Sequence, residues 1–143
     1  MKVGQPRVVL RSLTARDRDA FVSAMRASRS LHRPWAAPPT TNAAFDGLLQ
    51  RVRSESFETM LACRREDGVI VGYFNLSQII RGPLQSAFLG YGGVAGYSGE
   101  GYMTEGMRLV LRRSFVELRL HRVEANIQPA NGLSIALARR CGF

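Results

Sequence analysis

The sequence is poor in the side chains that most often announce a function. Two cysteines, two histidines and one tryptophan are spread over 143 residues. Cys63 and Cys141 stand far apart and match no metal-ligand or redox spacing. That argues against a disulfide framework and predicts two buried free thiols in a reducing cytoplasm. No apolar run approaches the ~18 residues of a membrane span, so no membrane association is expected. The opening stretch MKVGQPRVVLRSL lacks the apolar core of a signal peptide and reads as a first strand. No repeat, low-complexity segment or linker divides the chain, so residues 1–143 are expected to form one cytoplasmic domain. Its 45% hydrophobic content suits a modest single core. Neither His32 nor His121 is assigned a partner carboxylate. Both are read as non-catalytic, and no metal site is expected.

Negative charge is also scarce. Eleven acidic residues face 20 basic ones, nearly all arginine, for a net charge of +9. A field of that sign favours anionic partners such as nucleic acid, ribosomes or a phosphorylated cofactor. A GC-rich genome that writes arginine for lysine accounts for the composition equally well.

What the chain does contain is clear periodicity. PRVVLRSL reads as a strand, and Thr14 then caps a helix with Phe21, Ala24 and Met25 at helical spacing. LHRPWAAPP breaks the pattern, and TTNAAFDGLLQRVRSES supplies a second capped helix with Phe45, Leu48, Leu49 and Val52. Three strands follow, FETMLACRR, VIVGYFNLSQII and SAFLGYGGV, joined by the turns EDG and RGP. They predict an antiparallel meander. Beyond the loop GYSGEG, a helical stripe is formed by Met103, Met107, Val110, Leu111, Phe115 and Leu118. LHRVEANIQ alternates as another strand, and LSIALARRC is a last helix stopping at Gly142.

The glycine loop between strand and helix is the first functional signal. The unpaired N–H groups of a first helical turn and the helix dipole favour an anion there. Gly99 and Gly101 carry no Cβ, so a bulky anion can approach the backbone from Tyr97 to Tyr102. A Walker A loop is excluded, because Tyr102 follows Gly101 where lysine is required. A dinucleotide fingerprint is excluded by Thr104 and by the preceding antiparallel meander. A pyrophosphate cradle of another kind remains, although the glycine pair alone fits a plain tight turn equally well.

The residues around the loop carry a resemblance. GVIVGYFNLSQIIRG, FLGY, RPW and above all HRVEANIQPANGLSIALARRCGF resemble the GCN5-related N-acetyltransferase (GNAT) superfamily. Within it the chain is most similar to the RimJ/RimL-type ribosomal-protein N-terminal acetyltransferases. The resemblance implies an α/β fold: a mixed, mostly antiparallel twisted sheet flanked by helices. One splayed parallel strand pair is expected, here Ala87–Val94 and Val123–Gln128, and the family's C-terminal strands are expected to be missing, leaving residues 1–143 a C-terminally incomplete domain relative to the family. An unpaired edge at Val123–Gln128 would favour a homodimer. The implied enzyme is an N-acetyltransferase that uses acetyl-CoA as cosubstrate, without metal, to acetylate a protein N-terminal α-amine. A ribosomal protein is one such acceptor, and ribosome association is a possible partner relation. A small-molecule amine acetyltransferase and a non-catalytic CoA-binding or ribosome-associated protein are the alternatives.

Site residues follow from the same resemblance. Gly99 and Gly101 match the small positions of the family's Gln/Arg-x-x-Gly-x-Gly/Ala loop, with Gly96 where Gln or Arg is usual. The cofactor loop is then Tyr97, Ser98, Gly99, Glu100, Gly101 and Tyr102. Backbone groups of Gly93 and Val94 would hold the pantetheine amides and the thioester oxygen. Asn131 would contact the cofactor, cap the last helix, or both. Ser134 matches the serine near the sulfur and is the candidate general acid, against a plain helix serine bonding its own backbone. The family's frequent tyrosine in the last helix falls at Ala138. Glu124, sharing a strand face with Asn126, is the candidate base, against a solvated or ion-paired carboxylate. Trp35 is read as lining the acceptor mouth or anchoring a loop, and Tyr91 as packing on the cofactor or in the core.

Overall fold

Five strands form one sheet in chain order: β1 (Val8–Ser12), β2 (Glu58–Arg64), β3 (Ile70–Ile80), β4 (Ser86–Gly93) and β5 (Arg122–Glu124). The computed structural model describes residues 4–143; the first three residues of the expected opening strand lie outside that range. Strands β1 to β4 pair antiparallel, and β5 alone runs parallel to its neighbour β4. This is the mixed, mostly antiparallel sheet with one parallel pair that the resemblance implies.

The central strands are apolar on both faces, so the sheet is covered on both. Met60, Ala62, Phe74 and Leu76 meet α4 (Tyr102–Arg112) and α5 (Gly132–Arg140) through Met107, Val110 and Leu137. Leu61, Cys63 and Tyr73 meet α1 (Arg18–Ala27) and α3 (Asn42–Arg51) through Phe21, Met25, Phe45 and Leu48. A short helix α2 (Arg29–His32) follows α1 and leads into the Pro-rich segment. Both cysteines are free thiols, Cys63 buried and Cys141 half-buried.

Two expectations are corrected. The helical stripe was expected to run on through Phe115 to Leu118, but the backbone widens into a π turn over Arg113–Glu117. The wider turn rotates the stripe, so Ser114 is buried and donates to the Val110 carbonyl at 2.8 Å, while Phe115 is exposed. The same turn sets Arg113 on Glu58 of β2, with two contacts of 2.6 Å. The last strand was expected to reach Gln128, yet it pairs only as Ser86↔Arg122, Ala87↔Val123 and Phe88↔Glu124. Past Phe88, β4 continues beside β3 while the chain after Glu124 diverges, so no ladder remains to extend β5. That divergence is the splay on which the site depends.

Entry to α1 is fixed by a charged cap. Arg11 donates to both Asp17 oxygens at 2.9 and 2.6 Å, and the Thr14 N–H donates to Asp17 Oδ2 at 2.8 Å. Burial raises the Asp17 pKa, but Arg11 and Thr14 together outweigh it and hold the carboxyl below its ordinary value. A carboxyl depressed in the folded state contributes stability above its unfolded pKa, and that contribution is lost as pH falls through the folded value. Asp17→Ala should therefore destabilise the domain by about 2 kcal/mol at pH 7. In urea unfolding, the gap from the native protein should close as pH falls below about 4. A gap that stays constant to acid pH would show that the carboxylate is not what the cap contributes.

Candidate active site

The glycine loop leaves β4 and delivers the chain to the start of α4. Gly96, Gly99 and Gly101 have φ of 93°, 78° and 84°, all in the left-handed region that favours glycine. Gly101 occupies the N-cap of α4, and no side chain caps that helix. The ends of α3 and α5, by contrast, are closed by Thr41 and Asn131, whose side chains accept from Ala44 N–H and Ser134 N–H. Among the described residues, the N–H groups of Tyr102, Met103 and Thr104 find no protein acceptor. Three unspent donors at the positive end of a helix dipole form an anion cradle. A Cβ at Gly99 would meet nothing within 4 Å, so the space before the loop is open.

The loop is braced by a residue that sequence reasoning missed. Arg7 donates to the Glu100 carbonyl at 2.9 Å and, through Nε, to Glu105 at 2.7 Å. Its guanidinium lies 4.6 Å over the Tyr102 ring. Arg64 lies 5.2 Å over Tyr97, and the two tyrosine rings meet edge-on at 6.2 Å. Tyr97 and Tyr102 therefore stiffen the loop, while Ser98, Gly99 and Glu100 stand exposed at its crest.

The edge of β4 beyond the splay supplies backbone groups. The Val94 N–H donates to the Val71 carbonyl at 3.1 Å, which marks the hydrogen-bonded pairs of the β3–β4 ladder. Alternation then turns the groups of Gly90 and Gly92 toward β3, and those of Tyr91 and Gly93 toward the open edge, while Leu89 faces β5, where the Phe88↔Glu124 pairing engages its N–H. Val94 itself is corrected as a cofactor contact. Its N–H is spent, its carbonyl accepts from the Tyr97 N–H at 3.2 Å, and its side chain is buried in the core. Gly93 keeps only its N–H, because His32 Nε2–H donates to its carbonyl at 2.7 Å. His32 is a buried clamp and does not line the cleft. Ser28 completes the clamp by accepting the Ala95 N–H at 2.9 Å.

A cleft of about 820 Å³ wraps the open edge of β4. Trp35 and the Pro-rich segment form its mouth, one face of α3 forms a wall, and Asn126–Gln128 with Asn131 and Ser134 form another. Inside it, Ser134 Oγ–H donates to Tyr91 Oη at 2.9 Å, and the Tyr91 O–H donates to the Ser134 carbonyl at 2.9 Å. The serine is thus turned away from its own helix backbone and onto a second hydroxyl. Burial pushes the Tyr91 phenol up, partly offset by the Ser134 hydrogen bond, so Tyr91 keeps its proton. Tyr73, pushed up to about 12 by burial, is a second neutral phenol in the cleft. Its ring covers Gly92, where a Cβ would lie 2.6 Å from it.

The expected base is not brought to this place. Glu124 is held by Arg122 at 2.7 Å and does not line the cleft, although Asn126 does. The two were expected on one strand face, and that relation ends where the chain leaves the ladder. Ala138 is buried in the core. Among the described residues no cluster of His, Cys, Asp or Glu is placed to hold a metal ion, and no helix is long and apolar enough to cross a membrane.

The parallel pair thus splays beside an uncapped helix start and a loop of left-handed glycines. The chain matches the family described as "Acetyltransferase (GNAT) domain" over residues 7–143, and it belongs to that family. It is 46% identical over 77 residues to "Probable N-acetyltransferase YjcK" of Bacillus subtilis (strain 168), covering 54% of this chain and 42% of that protein. It is 34% identical over 74 residues to the "[Ribosomal protein uS5]-alanine N-acetyltransferase" of Escherichia coli (strain K12), covering 52% of this chain and 38% of that protein. The chain therefore aligns with less than half the length of either curated relative. Among solved structures, "Mycobacterium smegmatis RimJ in complex with CoA-disulfide" superposes with a TM-score of 0.85 at 26% identity. That match covers 95% of this chain and 69% of the other.

Proposed function

We propose that this domain is an acetyl-CoA-dependent N-acetyltransferase whose acceptor is the α-amine of a protein N-terminus, with a ribosomal protein as the leading acceptor. The carrying observation is the continuity from the uncapped N-terminus of α4, along the open edge of β4, to the Ser134–Tyr91 hydroxyl pair. Solved RimJ, a structural relative, is described with a CoA species. The cradle here suits such a group, since three free N–H donors and two left-handed glycines accept a pyrophosphate that a side chain would obstruct.

When bound, acetyl-CoA supplies the activated acetyl thioester. The α4 N–H groups would take the diphosphate, and the Tyr91 backbone and the Gly93 N–H would take the amides of the pantetheine arm. Ser134 would present its O–H to the departing sulfur, while Tyr91 holds the Ser134 side chain in place. In the reaction an N–C bond forms and the C–S bond breaks. The amine proton passes to water, and the thiolate is hydrogen-bonded by Ser134 as it leaves.

Among the described residues no carboxylate lines the cleft, and this bears on the acceptor in two ways. There is nothing to pair the second ammonium of a polyamine, which counts against the small-polycation reading. There is also no strong base. An α-amine, with a pKa of about 8 against about 10.4 for lysine, is already about one-tenth neutral at pH 7 without one, several hundred-fold more than lysine. The net charge of +9 would steer the enzyme to an anionic particle such as a ribosome in the cytoplasm, with an effect that fades as salt rises.

The test compares a peptide with a free N-terminus against the same peptide blocked there but carrying lysine. The free N-terminus should be strongly preferred, and log kcat/KM should rise with unit slope up to a single inflection near pH 8, the acceptor's own pKa. Equal rates, or preference for a polyamine or aminoglycoside, would replace this reading with a small-amine acetyltransferase. CoA binding without thiol release for any amine would leave a non-catalytic binding protein.

A further inference from the structure

One wall of the cleft is written with unusual economy. Along α3, Ala44, Gly47, Leu48 and Arg51 line it at helical spacing, so they share one face. Ala44 to Arg51 spans about 10 Å of helix axis. A glycine inside a helix weakens it, yet Gly47 sits mid-helix where an added Cβ would meet nothing within 4 Å. The face is a low strip that ends at a cation.

Among the described residues, that cation, Arg51, is the one ionised side chain lining the cleft. Most arginines near ordered carboxylates are spent: Arg7, Arg11, Arg18, Arg64, Arg113 and Arg122 are all ion-paired. Arg51 has no such partner among the described residues. Its guanidinium instead lies 4.1 Å over the Phe57 ring. Stacking holds the planar group in one orientation and leaves its edge donors unspent, a fork that matches a carboxylate.

We propose that Arg51 reads an acidic side chain of the acceptor, within the first few residues behind the reacting amine. This rests on the N-terminal acceptor reading above. The strip accommodates about three extended residues at ~3.3 Å each, so recognition is confined to that distance. Small residues at Ala44 and Gly47 admit the acceptor backbone, and Arg51 selects for charge at the end.

The experiment uses peptides with free N-termini carrying Asp, Asn or Lys in turn at each of positions two to five. The native protein is compared with Arg51→Glu, Arg51→Lys and Gly47→Leu. For at least one position, Asp should exceed Lys by about tenfold or more in kcat/KM. Arg51→Glu should invert that order, and Arg51→Lys, which keeps the charge without the fork, should fall between. Gly47→Leu, which fills the strip, should raise KM for every peptide. Coenzyme A affinity by calorimetry separates a folding defect from lost recognition. Equal rates for Asp, Asn and Lys in the native protein, or an order that Arg51→Glu leaves unchanged, overturns the assignment. If no peptide turns over while a simple primary amine does, the N-terminal reading itself falls, and this inference with it.

Discussion

Ser134→Ala is expected to lower turnover by about 10²-fold, with coenzyme A affinity within a few-fold of native. Ser134 Oγ lies 2.9 Å from Tyr91 Oη in the cleft and has no bond to its own helix backbone. A serine hydroxyl is a weak acid, so it acts by hydrogen-bonding the departing sulfur rather than by full transfer. Tyr91, its phenol raised above the ordinary value by burial, is likewise a poor source of a whole proton for a thiol of pKa about 8.5. Its role is to orient Ser134. Tyr91→Phe should therefore cost less, about tenfold, and the double variant should fall little below Ser134→Ala, because both act through one contact. Single-turnover thiol release measures this directly. A Ser134→Ala enzyme within threefold of native would remove the serine from the chemistry. Strictly additive losses would instead separate the two hydroxyls.

The strands and helices were readable because their signals are local. The meander, the Thr41 and Asn131 caps and the glycine loop all appear where periodicity and turn chemistry put them. What escaped depends on contacts between distant residues. Arg7 braces the loop through Glu105, 98 positions away, and nothing in PRVVLRSL distinguishes that arginine from its neighbours. The Ser134–Tyr91 contact joins residues 43 positions apart, so the resemblance could name the serine but not its partner. The π turn at Arg113–Glu117 defeated a pattern that assumes constant pitch. Val94 failed for a subtler reason. Position along a strand does not reveal which backbone groups face the neighbouring strand, and the observed register spends its N–H on Val71. Glu124 was read from alternation in a segment that stops being a strand once its partner diverges.

The other large effect concerns the cradle, where two glycines can be told apart. At Gly101 the backbone has φ of 84° and an added Cβ would lie 3.1 Å from Arg7 Nη2. A β-branched residue there is strained and also pushes on the brace, at a cost of about 2 kcal/mol or more. Gly101→Val should thus lose both thermal stability and coenzyme A binding, and it cannot by itself distinguish them. Gly99 resolves the ambiguity. Its φ is 78°, but an added Cβ meets no protein atom within 4 Å. Asparagine tolerates the left-handed conformation better than other side chains, so Gly99→Asn should leave the melting temperature within a few degrees of native. Its side chain would nonetheless stand in the open space that the diphosphate needs. Calorimetry should show coenzyme A binding weakened by at least tenfold, about 1.4 kcal/mol. Binding of the dephosphorylated pantetheine arm alone should change much less, because the α4 N–H groups act on the phosphates. If Gly99→Asn folds normally and binds coenzyme A as tightly as the native protein, the diphosphate does not sit against this loop. The three unspent N–H groups of α4 would then need another ligand.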